Sequence, residues 1–249
     1  MPVETIDDVL EALDAIIDQA RAEHSRLGYF AALYRRVTRA VKFGIAAGRF
    51  QDGPRMERFD VLFARRYLDA YGQFRAGAAV TGSWMVAFQA AANPALLVVQ
   101  QLLVGMNAHI NLDLGIAAAE VAPGAALAGL EGDFDEINAV LAEQVGAVEL
   151  QMAAISPMIG LLEKLGLRTD TRIINFSLEK ARAHAWDVAL KLNAAPPRGR
   201  DVEIGLVDLE VELLGRLIVR PPPPLNMELA SIRAVESDDI VHNLNVLAS

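Results

Sequence analysis

Apolar residues recur every three to four positions along almost the whole chain, the period of α-helices that bury one face. Val9, Leu13, Ile16, Ile17 and Ala20 form the first such stripe, and Thr5 followed by Asp8 is a capping-box start for it. A second helix is predicted from about Tyr29 to Gly48, with Phe30, Leu33, Tyr34, Val37 and Val41 inward and Arg35, Arg36, Arg39 and Lys42 outward. The turn Gln51-Asp52-Gly53-Pro54 leads into a third, from about Met56 to Phe74. A fourth covers about Ala78 to Ala92, and a fifth runs from Pro94, a residue suited to a first helical position, to about Val121 before Pro123-Gly124.

The second half continues in the same way. A sixth helix is expected from about Asp133 to Ile155, with Ser156-Pro157 as a break and a short segment on to Leu165. Ser177 is placed to cap a seventh that ends near Leu192. Asp201 to Val219 alternates in places like a strand, but Leu206, Leu209, Leu213 and Leu217 also fit a helix. Pro221 to Pro224 reads as a rigid polyproline connector, and one further amphipathic helix is expected from Asn226. The pattern predicts an all-α, single-domain multi-helix bundle: a helical core over 1–220 and a Pro-linked C-terminal arm over 221–249, packed on the core or on a partner subunit.

One stretch departs from ordinary amphipathicity. From Ala76 to Leu112 there is no Asp, Glu, Lys or Arg, and the next residue is Asp113, at the end of Asn107-Ala-His-Ile-Asn-Leu-Asp113. A bundle accommodates such a run by burying it, which makes this the central helix. Asn93-Pro94 and the later amides interrupt the roughly 20 continuous apolar residues that a membrane span needs, so burial in the protein is the expected reading. A His and an Asp in a core must be paired or bound to something, because an unpartnered buried polar group is costly.

On a regular helical wheel His109, Asp113 and Glu120 fall within about 40° of one another, and Gln100, Asn107 and Asn111 form a second polar stripe on the opposite side. His109 and Asp113 have the spacing for two ligands of a divalent metal, or for a base with its orienting carboxylate. A buried His satisfied by a carboxylate one turn away is the structural alternative. Asp60, in line with Phe63, Tyr67 and Tyr71, is a candidate second carboxylate or a structural anchor. Asp69, Arg58, Arg65 and Arg66 read as a solvated face. Glu120 and His184 read as surface, His24 as a core histidine or a pocket edge, and His242 stays unassigned.

Composition narrows the chemistry. There is no cysteine among the 249 residues, which removes disulfides, thiolate metal sites and cysteine nucleophiles. The net charge of -9 argues against nucleic-acid binding. The acidic N-terminus lacks the basic start and apolar core of a signal peptide, so a cytoplasmic location is expected. No ExxH pair, HExxH, Gly-rich phosphate loop, GxSxG elbow or EF-hand loop is present, and no nucleotide, flavin or haem is expected. The acids of Asp133-Phe-Asp-Glu136 are read as first-turn residues favoured by the helix dipole.

The chain resembles a family of bacterial proteins classed as a domain of unknown function. The resemblance rests on Phe30-Ala-Ala-Leu-Tyr34 with Thr38, Phe50-Gln-Asp52, Phe63-Ala-Arg-Arg-Tyr67, Ser83-Trp84, Asp133-Phe-Asp-Glu-Ile-Asn138 and Arg182-Ala-His-Ala-Trp186. Its most specific part is Leu103 to Gly115, with Met-Asn-Ala-His-Ile-Asn-Leu-Asp at its heart. The family label implies no activity.

The expected function is an enzyme with a buried polar site in an apolar helical cavity. His109 would be base or metal ligand, Asp113 its partner or a second ligand, and Asp60 a second carboxylate. Asn107 and Asn111 would orient substrate, and Tyr34, Tyr67, Trp84 and Phe88 would line the cavity. Non-redox hydrolysis, isomerisation or cyclisation of a hydrophobic small molecule fits these residue types. A non-enzymatic carrier of a lipid-like ligand is the alternative, and a polar core that only fixes helix register is a third. Both a monomer and a homodimer are compatible with the sequence.

Overall fold

The computed structural model describes residues 3–158 and 178–249. Its helices are α1 (Ile6–Ala22), α2 (Gly28–Ala46), α3 (Gly53–Arg75), α4 (Gly82–Ala90), α5 (Val98–Ala108), α6 (Gly115–Val121), α7 (Glu131–Ile155), α8 (Leu178–Ala194), α9 (Pro197–Val219), α10 (Leu225–Arg233) and α11 (Ile240–Ala248). A π-helical segment, His109–Leu114, joins α5 to α6, and a 3-10 segment, Gly124–Leu130, leads into α7. Among the described residues there is no strand, so the all-α reading holds and the 201–219 ambiguity resolves to helix.

Local signals set several of these boundaries. Asp8 N–H donates to Thr5 Oγ1 at 3.2 Å and Thr5 N–H to Asp8 Oδ2 at 2.8 Å, the reciprocal cap expected for α1. Asp52 caps α3 by accepting from Arg55 N–H at 2.9 Å, with Pro54 in the first turn, where its missing N–H costs nothing.

Other boundaries are decided by distant residues. The fourth helix starts at Gly82 rather than Ala78 because the Asp208 carboxylate of α9 accepts from Gly82 N–H at 2.7 Å and Ser83 N–H at 2.9 Å. The fifth starts at Val98 rather than Pro94, where the Glu236 carboxylate accepts from Val98 N–H at 3.0 Å. In each case a carboxylate from far along the chain supplies the cap that the local sequence lacks. The segment after Asn226 is two short helices, α10 and α11, rather than one. The expected extension to Leu165 runs beyond the described residues, and the Ser177 cap lies outside them.

Helices α5, π segment and α6 make one helix, Val98–Val121, at the centre. By length and composition it meets the requirement for a membrane span, and 89% of its apolar window is buried against the rest of the protein. One core cluster joins α1, α2, α3, α4, α5, α7 and α11 through Leu13, Ile17, Phe30, Tyr67, Trp84 and Leu244. A second lies around the π segment, α6 and α8, with Leu112, Leu114, Phe134, Val188 and Val211. The C-terminal segment lies on the chain's own core, where Leu244 and Leu247 are buried.

Candidate functional site

The motif His109-Ile-Asn-Leu-Asp-Leu114 is the π-helical segment itself. A π turn bonds i to i+5 and holds more residues than an α turn; such segments are rare and concentrate at functional sites. The tight neighbourhood around this segment depends on two glycines. A Cβ at Gly105 would stand 2.6 Å from the Phe30 ring, and one at Gly115 would stand 2.6 Å from the Ala185 carbonyl oxygen. Their bare backbones let α2 and α8 close in at either end of the motif.

Asp113 is 1% exposed and its carboxylate is fully engaged. Oδ1 accepts from Arg66 Nε at 2.9 Å, and Oδ2 accepts from Trp84 Nε1 at 2.9 Å and faces His109 Nδ1 at 3.2 Å. Burial holds the His109 imidazole below its ordinary pKa, with the Asp113 carboxylate opposing that shift and Arg66 adding to it. The ring is therefore neutral near pH 7, and the contact is a hydrogen bond rather than an ion pair. A carboxylate only accepts, so Nδ1 carries the proton and Nε2 carries the lone pair.

Nε2 is buried with no hydrogen-bond partner among the described residues. Aromatic rings surround the imidazole: Phe63 stacks on it with centroids 3.6 Å apart, Tyr34 meets it edge-on at 4.5 Å, and Phe30 lies at 5.6 Å. His109 also lines a cavity of about 250 Å³, walled by apolar side chains of α2, α3, α5, the π segment and α7, among them Leu33, Val37, Phe59, Met106 and Ile137.

Two further polar groups reach the same cavity. Asp60 lines it with Oδ2 lacking a partner among the described residues, and burial, with a smaller contribution from Glu57, pushes its carboxyl up to about 7. Tyr34 lines it as well; burial and the neighbouring Asp60 hold its phenol well above the ordinary value. The Thr38 hydroxyl offsets part of that shift, but neither hydroxyl finds a partner of good hydrogen-bond geometry. Arg182, on α8, borders the cavity with its guanidinium 4.4 Å over the Phe134 ring and bonded to the Phe134 carbonyl; burial lowers it to about 10.

The structure thus brings His109, Asp60 and Tyr34 to one cavity and puts Asp113 directly behind His109. Tyr67 and Trp84 flank the imidazole at 6.2 and 6.0 Å but border a separate, much smaller pocket of about 20 Å³. Phe88 is one layer further out, stacked on Trp84 at 5.1 Å. Asn107 and Asn111 lie away from the cavity: Asn107 Nδ2 donates to the Val211 carbonyl of α9 at 2.8 Å, and Asn111 Nδ2 to Asn107 Oδ1 at 3.0 Å. With Gln100, which donates to the Ile218 carbonyl at 2.8 Å, they bind α9 to the central helix.

Both Asp113 oxygens face protein donors, Oδ1 the Arg66 guanidinium and Oδ2 the Trp84 indole and the His109 ring. Among the described residues no three His, Asp or Glu side chains converge to hold an ion. Glu120 is half-exposed, 4.0 Å from Arg66. His24 and His242 are exposed, and His184 is partly so.

Three contributors are not evident from sequence. Arg66, grouped by the wheel with a solvated face, turns inward to Asp113. Phe63, read only as an apolar-face residue, is the imidazole's stacking partner. Asp133, read as a dipole acid, is 1% exposed and accepts from the Gln51 and Asp52 N–H groups and from Arg55, tying α7 to the turn before α3. The signal for Arg66 was present only indirectly, in that a buried Asp needs a cation.

No curated protein and no solved structure gives a match to this chain. Almost the whole helical core, with His109, Asp113, Arg66, Trp84 and every residue named above as lining the cavity, falls within one family match that ends at the polyproline connector. The model of the family of unknown function DUF5995 matches residues 6–221, and the chain belongs to that family.

Proposed function

We propose that the protein is an enzyme that moves a proton on a hydrophobic small molecule, with His109 as the base. One observation carries this reading: His109 Nε2 is buried on the wall of an apolar cavity with no partner among the described residues, while Nδ1 is committed to Asp113. Asp113 sets the tautomer and orientation of the ring and stabilises the imidazolium that forms, and Arg66 and Trp84 hold Asp113 in place.

Asp60 and Tyr34 supply the complementary half. Below about pH 7 Asp60 is a neutral acid, and Tyr34 stays a phenol, so each offers an O–H to an oxygen in the cavity. A neutral base and neutral donors suit an apolar site because no charge is buried before substrate arrives. The substrate class that uses all three is an apolar skeleton bearing a carbonyl. His109 removes the proton next to the carbonyl, and the C–H electrons pass into an enolate whose oxygen is held by Asp60 and Tyr34. Where a C=C bond is conjugated with that enolate, the imidazolium returns the proton at the far carbon of the C=C bond, giving an isomerised product with no net oxidation.

The test is hydrogen–deuterium exchange of a panel of apolar ketones and enones in D2O, followed by NMR. Wild type is expected to exchange at least one member about 10² times faster than His109→Gln, the lower end of general base contributions. Exchange at the buffer rate in wild type, together with displacement of an apolar fluorescent probe by the same compounds, would make the cavity a carrier site instead.

A further inference from the structure

Arg182, in the run Arg182-Ala-His-Ala-Trp186, takes no part in the proton transfer, yet it borders the same cavity and is only 4% exposed. Among the described residues it makes no ion pair. The one acid there whose charge supports it, Asp135, is exposed on α7 and does not offset the cost of its burial. Asp133 is engaged by Arg55, and Asp60 is influenced by Glu57 and not by Arg182.

A guanidinium carries five N–H donors and stays a cation at neutral pH. Here one amino group donates to the Phe134 carbonyl, Cζ lies 4.4 Å over the Phe134 ring, and Nε is buried with no partner among the described residues. A carbonyl and a ring face do not neutralise a positive charge, and a buried charge without a counter-ion is costly. The group is nonetheless held in place. Trp186, one turn on, packs on the same Phe134 ring with centroids 4.9 Å apart, so α8 holds that ring with two side chains.

Arg182 and His109 also stand at different points along α3. Phe134, beneath Arg182, packs on Phe59 at 6.2 Å, whereas Phe63, one turn further along α3, stacks on His109 at 3.6 Å and meets Tyr34 at 5.9 Å. The cation belongs to the Phe59 end and the imidazole and phenol to the Phe63 end.

We propose that Arg182 binds a carboxylate of the substrate, which makes the substrate an apolar acid whose reacting carbonyl is remote from its acid group. This rests on the reading of the cavity as the place where His109 works. A carboxylate accepts parallel N–H bonds from a guanidinium and supplies the missing counter-charge. A monoanion fits because no second Arg or Lys lines the cavity among the described residues, so a phosphate dianion would leave charge uncompensated in an apolar space.

Titration calorimetry of the full chain with decanoate and with decanol tests this at about pH 6, where the acid is ionised and Asp60 mostly is not. Wild type is expected to bind decanoate at least about tenfold more tightly than decanol, the scale of a charge-assisted hydrogen bond. Arg182→Met should lose that preference while still binding decanol, and Arg182→Lys should keep part of it. A role in packing α8 on Phe134 alone would move both ligands together. His109→Gln should keep the preference and lose only deuterium exchange, so acid recognition and the base are tested apart. Equal binding of the two ligands by wild type, tighter binding of the alcohol, or binding of neither overturns the proposal, and none of these needs a variant to fold. A preference that survives Arg182→Met overturns it as well.

Discussion

The ring of Phe63 lies flat on the imidazole of His109, with centroids 3.6 Å apart and planes 6° from parallel. Phe63 therefore fixes the ring plane while Asp113 fixes its rotation, and together they aim Nε2. Phe63→Leu keeps an apolar side chain but removes the stack. It is expected to cost about 1 kcal/mol of stability and to slow proton exchange about tenfold through misaim of the base. Thermal unfolding and the D2O assay measure the two effects separately.

Arg66 and Trp84 both serve Asp113, but their losses should differ. Arg66→Met leaves a carboxylate with a 2% exposed side chain without its cation, and about 3 kcal/mol of stability should go with it. It should also raise the His109 pKa, because a nearby positive charge that disfavours imidazolium is gone. Trp84→Phe removes one neutral donor and should cost about 1–2 kcal/mol. Urea unfolding gives the stabilities, and NMR titration of the imidazole gives the shift.

Stability should fall toward high pH because of Asp60. Its carboxyl is at about 7 in the folded protein against 3.8 as the ordinary value, so the folded state holds the proton more tightly. Stability is full below about pH 4, declines as pH rises toward 7, and is then lower by roughly 4 kcal/mol. Asp60→Asn should remove the Asp60 share of that slope, leaving a smaller one of the same sign from Glu236, whose carboxyl is also pushed up by burial to about 7. His109 gives the opposite slope: its folded pKa is depressed, so stability present above about 6.5 is lost as pH falls below it. Urea unfolding of wild type and variant from pH 4 to 9 distinguishes the two; an unchanged slope in Asp60→Asn would show that Asp60 ionises normally.

The same two groups shape the rate. Exchange should peak between the His109 pKa and about 7, falling on the acid side as His109 protonates and on the alkaline side as Asp60 ionises. Asp60→Asn should lose the alkaline limb and keep the acid one.

Gly115→Ala places a methyl 2.6 Å from the Ala185 carbonyl oxygen and 2.9 Å from Val188, against the backbone of α8. A loss of about 2–3 kcal/mol in chemical denaturation is expected. Gly146→Ala in α7 meets nothing within 4 Å and should stabilise by about 0.5–1 kcal/mol through helix propensity. Equal effects from the two would remove the packing argument.

Much of this protein was legible along the chain. The apolar period showed helices throughout, Thr5 with Asp8 marked one start, the Gln51–Pro54 turn placed another within three residues, and the charge-free run leading to His109 and Asp113 located the central helix and its polar pair. These are properties of residues within a turn or two of one another, where hydrogen bonds and helix geometry are local. The wheel, however, assumes an unbroken α-helix, so it could not show the π segment that carries the motif. Nor does a period say which face goes inward when both are apolar: Leu206, Leu209, Leu213 and Leu217 specified a helix, and its Val207–Val211–Ile218 face is the one buried.

Tertiary structure alone decided the rest, because the partners are far apart in sequence. Arg66 reaches Asp113 across 47 residues, Asn107 reaches the Val211 carbonyl across 104, and Val98 is capped from 138 residues away. A long, flexible arginine on the edge of a polar face reads as solvated until a buried carboxylate comes within its reach. The cavity is likewise a property of six packed segments and of none of them singly. Sequence placed a histidine and a carboxylate in the core; packing set one nitrogen of that histidine on the wall of an apolar cavity, with no hydrogen-bond partner among the described residues.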